Sequence, residues 1–212
     1  MQKQRGFTLV ELAIVLVIIG FLLGGVLKGR ELIDNAKTRS LSNNIDSIQA
    51  AWFAFQDRYN AIPGDMDSAS DKIDSTLSDG NGNGRADTNG ERGDVWAHLA
   101  AAGVISGDYS SANVAADEVG CEVSVCPNNG FGRGFVLTYS DNLNIGSTTH
   151  ELILGGGVPL KIVQALDSRK DDGNGASGDI RGFDGLDTCI DGNGEYDITN
   201  KPQDCSAIVR VF

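Results

Sequence analysis

Oxygen-bearing side chains spaced by glycines are the first chemistry this chain offers. Asp79-Gly80-Asn81-Gly82-Asn83-Gly84-Arg85-Ala86-Asp87 matches the first nine positions of a calcium loop. Side-chain oxygens fall at positions one, three, five and nine, glycine at six permits the sharp turn, and Arg85 at seven offers its carbonyl. The twelfth position, where a bidentate glutamate belongs, is Gly90, and Glu91 comes one residue late. The alternative is a polar loop whose Asp-Gly and Asn-Gly steps are only turns. A second candidate set is Asp191, Asn193, Glu195 and Asp197, with Asp184 and Asp187 just upstream. Carboxylates this dense repel one another unless a cation or water separates them, so calcium is expected there too, with Asp187 among its ligands. Asp171-Asp172-Gly173-Asn174 reads as a helix end and turn, without a metal.

Cys121, Cys126, Cys189 and Cys205 allow three disulfide pairings. The local one, Cys121–Cys126 with Cys189–Cys205, is the expected one, because each bridge closes a loop of turn residues and the second pins the acidic cluster. Zinc is disfavoured: the paired two-residue cysteine spacing is missing, and neither His98 nor His150 lies near a cysteine. His98 falls on a short helix and reads as a surface or satisfied polar residue. No Gly-x-Ser-x-Gly and no phosphate-binding glycine loop ending in Lys-Ser or Lys-Thr is present, so no enzymatic activity is expected.

The element that must carry everything else lies at the N-terminus. From Phe7 to Leu27 the single charged side chain is Glu11. As a helix this run spans ~30 Å, the hydrocarbon thickness of a bilayer, and Lys3 and Arg5 hold its short leader on the cytoplasmic side. No small-x-small cleavage site follows it, unlike a secretory signal. A carboxylate inside such a segment is costly and marks a function or else snorkels to the headgroups. If the leader is removed after Gly6, Phe7 gains a free amine, and Glu11 of one helix can neutralise the amine of a neighbour in an apolar bundle.

Gly6-Phe7-Thr8-Leu9-Val10-Glu11-Leu12 and the apolar run behind it resemble the processing and assembly signal of type IV pilins and type II secretion pseudopilins. The resemblance is strongest over residues 1–64. It implies cleavage after Gly6 by a prepilin peptidase, methylation of Phe7, and a role for Glu11 in guiding subunits into a helical filament. It also implies a homo-oligomer, an inner-membrane assembly machinery, a single-pass inner-membrane stage, and later an extracellular or periplasmic filament. Calcium near the C-terminus is a feature of major pseudopilins, so the calcium loops lean that way, and a disulfide-closed C-terminal loop is a feature of pilins; they support the second acidic cluster and Cys189–Cys205 by resemblance alone. Residues 59–65, 96–105 and 167–173 resemble recurring segments of a subgroup of pilin-like proteins. Many type IV pilins carry a helix-bending proline that residues 7–62 lack, a departure toward the pseudopilins.

Beyond Leu27 the helical pattern turns amphipathic. Leu41, Ile45, Ile48, Trp52, Phe55 and Tyr59 form one stripe, and Pro63-Gly64 ends it. The expected layout is a leader over 1–6, a membrane or filament-core helix over 7–29, its amphipathic continuation over 30–62, and a globular pilin-like domain over 63–212. The fold class is α+β, with a long N-terminal helix on a small loop-rich domain holding a short antiparallel sheet. Within it, Asp94 is expected to cap a short helix stopped by Gly103. Strands are expected at 135–139, 151–154 and 208–212, and a helix from Pro159 to Lys170. Twenty-eight glycines and 7 % aromatic residues describe a modest core that needs staples, and the net charge of −12 argues against nucleic acid as a partner.

Three functions compete: a pilin of an extracellular fibre for adhesion or motility, a pseudopilin of a type II secretion system, and a membrane-anchored domain that never polymerises. The first is favoured, narrowly, because a larger loop-decorated domain suits a fibre displayed outside. The third does not need Phe7 and Glu11.

Overall fold

The computed structural model describes residues 8–114, 120–141, 146–183, 189–191, 193–198 and 206–210. The chain divides into two units, Met1–Lys37 and Thr38–Phe212. One helix, α1 (Leu9–Tyr59), runs through the division, as the uninterrupted helical pattern requires. Within the first unit every large apolar side chain from Leu9 to Ile33 is exposed, from 45 % at Ile19 to 86 % at Leu9. Among the described residues, α1 is the one helix long and apolar enough to cross a membrane.

In the second unit the stripe of α1 behaves differently. Leu41, Ile45, Ile48, Trp52 and Phe55 are all buried, at spacings of three and four that keep them on one side. They join a single core with Trp96 and Leu99 of α3 (Asn89–Ala101), Leu137 of β1 (Val136–Ser140), Leu152 of β2 (Thr149–Ile153) and Val163 of α4 (Leu160–Lys170). A four-residue helix, α2 (Ala69–Lys72), lies between α1 and α3. The remaining strands are β3 (Ile180–Phe183) and β4 (Ser206–Arg210).

The four strands form one antiparallel sheet in the order β1-β2-β4-β3, with Thr138 opposite Glu151, Leu152 opposite Val209, and Ile180 also opposite Val209. Each edge strand gives one backbone N–H to a neighbouring loop. Tyr139 of β1 donates its N–H to Ala86 O at 3.2 Å, and Gly182 of β3 donates to Gly175 O at 2.9 Å.

The α+β class, the long helix, α4, and strands near the first two expected positions, β1 and β2, match the expectation. The helix expected to begin at Asp94 is different. It is α3, capped at Thr88, more than a turn earlier. Thr88 Oγ1 accepts from Glu91 N–H at 3.2 Å, and Glu91 Oε2 accepts from Thr88 N–H at 3.0 Å, a reciprocal capping box. Gly90 and Gly93, poor helix formers, disguise this start. Gly93 is there for space: a Cβ on it would meet Ala112 O at 1.7 Å. Gly103, at φ +72°, ends the helix as expected, with Val104 N–H reaching back to Leu99 O at 3.1 Å. Of the C-terminal strand expected at 208–212, residues 208–210 lie in β4, and 211–212 fall outside the described residues. The strand β3 had no counterpart in the sequence reading; it is four residues long and contains both Arg181 and Gly182.

Candidate functional site

Gly6 and Phe7, the expected processing residues, lie outside the described residues. Glu11 lies in the first turn of α1. Its Oε2 accepts from Thr8 N–H at 2.8 Å and from Thr8 Oγ1 at 2.9 Å, while Thr8 Oγ1 accepts from Glu11 N–H at 3.2 Å. This is a second Thr-x-x-Glu capping box. Thr8, three residues before Glu11, is a partner that the sequence analysis does not assign to it. The box satisfies donors at the helix start and holds the carboxylate at the N-terminal end of the apolar segment, where it also complements the helix dipole.

The loop from Asp79 to Asp87 wraps inward on two carboxylates that the sequence reading did not assign to it. Asp65, 3 % exposed, accepts from three consecutive backbone N–H groups: Asn83 at 3.1 Å, Gly84 at 2.7 Å and Arg85 at 3.2 Å. Glu91, 4 % exposed, accepts from Asn81 N–H at 3.1 Å, the Asn81 side-chain amide, and Asp87 N–H at 3.2 Å. The loop thus presents N–H groups to an internal anion. Asp79 faces elsewhere, taking Ser70 N–H at 2.8 Å and the Ser70 hydroxyl at 2.9 Å, which hold its carboxyl below the usual range. Asn83 donates weakly to Asp87 at 3.5 Å, and the Arg85 guanidinium lies 5.2 Å from the Tyr139 ring centroid. Asn81, Asn83 and Asp87 are linked to one another, Asn83 N–H donating to Asn81 Oδ1 at 3.0 Å, while the carboxylate of Asp79 is engaged by Ser70. Burial raises the pKa of Asp65 against the backbone donors that would lower it.

In the C-terminal region, Asp191 accepts at one oxygen from Asn193 N–H at 2.8 Å and Glu195 N–H at 3.0 Å, closing a turn beneath the Ile190–Tyr196 bridge. Asp197 donates its N–H to Cys189 O at 3.1 Å, while Asp184 and Asp187 fall outside the described residues. Tyr196 links this hairpin to the end of α4, donating its hydroxyl to the fully buried Asp167 at 2.6 Å. Asp167 also accepts Gly173 N–H at 3.0 Å. Carboxylate oxygens of Asp167, Asp171 and Asp172 lie within 4.8 Å of one another, a grouping the sequence reading took only as a helix end and turn. Protein donors already serve each of them, including Ile180 N–H on Asp171 at 2.8 Å and the Ser177 hydroxyl on Asp172 at 2.6 Å. Burial raises the pKa of Asp167, and the Ser177 hydroxyl lowers that of Asp172.

Cys121 and Cys126 form the expected disulfide, with Cα atoms 6.1 Å apart. Cys189 is disulfide-bonded as well, and Cys205 lies outside the described residues. Beside the first bridge, Asn129 is buried with its amide donating to Leu154 O at 2.9 Å and its oxygen accepting Phe131 N–H at 2.7 Å, which docks the bridged loop onto the end of β2.

Both histidines are buried and satisfied. His98 Nδ1 accepts Gly64 N–H at 3.0 Å, and its Nε2 lies 2.9 Å from Ser78 O. His150 Nε2 accepts Ala86 N–H at 3.3 Å. Burial lowers both pKa values, that of His150 to about 4.

A family model, the prokaryotic N-terminal methylation motif, matches residues 1–27. No curated protein and no solved structure matches the chain. A methylation motif followed by a long apolar helix fits the type IV pilin and pseudopilin family.

Proposed function

We propose that the protein is a structural subunit of a type IV pilus-like extracellular filament, without catalytic activity. A prepilin peptidase cuts after Gly6 and methylates Phe7. The chain waits in the inner membrane as a single-pass protein, and the assembly machinery then exchanges its lipid contacts for those of neighbouring copies. The observation that supports this most is the pairing of the methylation motif with an α1 segment whose large apolar side chains, Leu9 to Ile33, are all exposed. Each such side chain gains roughly 1.5–3 kcal/mol when lipid or a neighbouring helix covers it in place of water. Glu11 pairs with the Phe7 amine of an adjacent copy and so sets axial register, leaving its box with Thr8 as the two subunits join. Calcium at the acidic loops stiffens the displayed surface.

A pseudopilin of a type II secretion system is the second reading, favoured by α1 running unbroken from Leu9 to Tyr59 with no bending proline. Expressing Glu11→Ala in the host and imaging sheared surface material tests the assembly role. Normal processing with filaments lost is expected, whereas normal filaments from this variant would contradict the proposal.

A further inference from the structure

Six asparagines are followed directly by glycine: Asn81, Asn83, Asn89, Asn129, Asn174 and Asn193. Such a step is prone to succinimide chemistry, because glycine leaves the next backbone nitrogen unhindered. What separates the six is the hydrogen bonding around that nitrogen and around the side-chain amide. We propose that Asn174 is a self-modifying site, converted without an enzyme to an aspartyl or isoaspartyl residue, while the fold protects the other five.

At four of those five the glycine N–H is already taken. Gly82 donates to Asp65 O at 2.9 Å, Gly84 to Asp65 Oδ2 at 2.7 Å, Gly130 to Asn128 Oδ1 at 2.7 Å and Gly194 to Asp191 O at 3.1 Å. Asn129 is protected a second time, being 2 % exposed with its amide donating to Leu154 O and Gly156 O. Asn89 begins α3, where a side chain leans back toward the N-terminus and away from the following nitrogen. Arg92 Nη1 also donates to its oxygen at 2.7 Å.

Asn174 has none of these restraints. Among the described residues the N–H of Gly175 has no acceptor, and the amide nitrogen of the exposed Asn174 has no partner. Its Oδ1 accepts Ala176 N–H at 2.9 Å, an Asx turn that folds the side chain forward over the Gly175 nitrogen and polarises the carbonyl. The flanking backbone is fixed. Asn174 N–H donates to Asp172 Oδ1 at 2.8 Å, and Gly175 O accepts Gly182 N–H at 2.9 Å.

The Gly175 nitrogen gives its proton to water and bonds to Cγ of Asn174. The side-chain nitrogen leaves as ammonia, taking a proton from water, and a succinimide remains. Water then opens the ring at either carbonyl, so the net exchange is water for ammonia. One opening restores the backbone with a carboxylate at position 174, next to the grouped carboxylates of Asp167, Asp171 and Asp172. The other routes the chain through Cγ and lengthens it by a methylene. There is no slack for it: a Cβ on Gly175 would lie 2.5 Å from Ile190 Cγ2, and Gly175 O is tied to β3. The modification therefore loosens the loop between α4 and β3 as the chain ages, whether or not it polymerises.

Incubation of the full-length protein in detergent and mildly alkaline buffer, followed by tryptic digestion and mass spectrometry over time, tests this. A zero-time digest corrects for conversion during handling. Residues 171–181 form a tryptic peptide with Asn174 as its one asparagine, and residues 73–85 carry Asn81 and Asn83. The first peptide should gain the amide-to-acid mass several-fold faster than any other Asn-Gly peptide, with fragmentation placing an isoaspartyl fraction at position 174. In Asn174→Gln, whose extra methylene disfavours the five-membered ring, that gain should vanish. In chain unfolded by urea beforehand, the six rates should converge. Equal rates at the six sites of the folded protein, an intact Asn174 while another site converts, an unchanged lead after unfolding, or a product without isoaspartyl would each overturn the proposal.

Discussion

The two stretches of α1 share one helix and little else. Up to Ile33 its apolar side chains are exposed on every side, and Gly20, Gly24, Gly25 and Gly29 leave open space where a side chain would be. From Thr38 onward a single stripe is buried to 9 % exposure or less, and the opposite side carries Asn43, Asp46 and Asp57. A helix apolar all round and lacking partners in its own chain needs a membrane or other chains to cover it. A one-striped helix completes a domain core. If α1 polymerises as proposed, stability and assembly are written on separate parts of one helix, so substitutions in each part should affect one property and spare the other.

The largest separation is expected from Glu11→Ala, which should abolish filaments while leaving the melting of the soluble domain unchanged. Trp52→Ala should do the converse, destabilising the domain by about 3–5 kcal/mol in chemical denaturation, because a fully buried indole leaves a cavity. Leu16→Ala, on the exposed part, should leave that denaturation curve where it was. If Leu16→Ala destabilised the domain as Trp52→Ala does, the division of labour would be lost.

Next comes Glu91→Ala. It removes the α3 capping box and strands the Asn81 and Asp87 donors, so a loss of about 3 kcal/mol is expected. Asp79→Ala, whose exposed carboxylate accepts the Ser70 N–H and hydroxyl, should cost clearly less. Equal losses would mean that Asp79 has a stronger partner, a cation being the first candidate.

The pH dependence of stability follows from His150. Its folded pKa, about 4, lies below the unfolded value, so the unfolded chain binds more protons between the two. Its contribution is complete above about pH 6.5 and lost as pH falls toward 4, on the order of 3 kcal/mol. Asp65, Asp94 and Asp167, raised by burial, push the other way, so the comparison to make is wild type against His150→Gln by thermal melts across that range. Calcium comes last. At ten times its dissociation constant a bound ion adds about 1.4 kcal/mol, so chelator should lower the melting temperature by a few degrees and calcium restore it. No shift in either direction would remove calcium from the account.

Much of this architecture was legible because periodicity survives any context. The stripe from Leu41 to Phe55, the helix after Pro159 and the β-branched strands announce themselves by spacing alone. What escaped was decided by contacts distant in sequence. The Asp79–Asp87 loop has the residue types of a cation loop, yet Asp65 and Glu91 lie inside it, and only the fold brings them there. Asp94 looks like a helix cap in isolation, but Thr88-Asn89-Gly90-Glu91 takes that role and leaves Asp94 5 % exposed within α3. His98 and His150 could be called satisfied or superficial from sequence, but their backbone partners are tertiary. The two Thr-x-x-Glu boxes were readable and were obscured by stronger neighbouring signals, a glycine pair at one and an apolar run at the other.

Mass spectrometry of the N-terminal peptide, taken separately from sheared surface material and from membranes, tests the central claim most directly. A chain beginning at methylated Phe7 and abundant in the sheared fraction is predicted for an extracellular pilin subunit. The same terminus confined to membranes would contradict the extracellular fibre and leave the pseudopilin. An intact Met1 in both fractions would contradict processing, and with it assembly through α1.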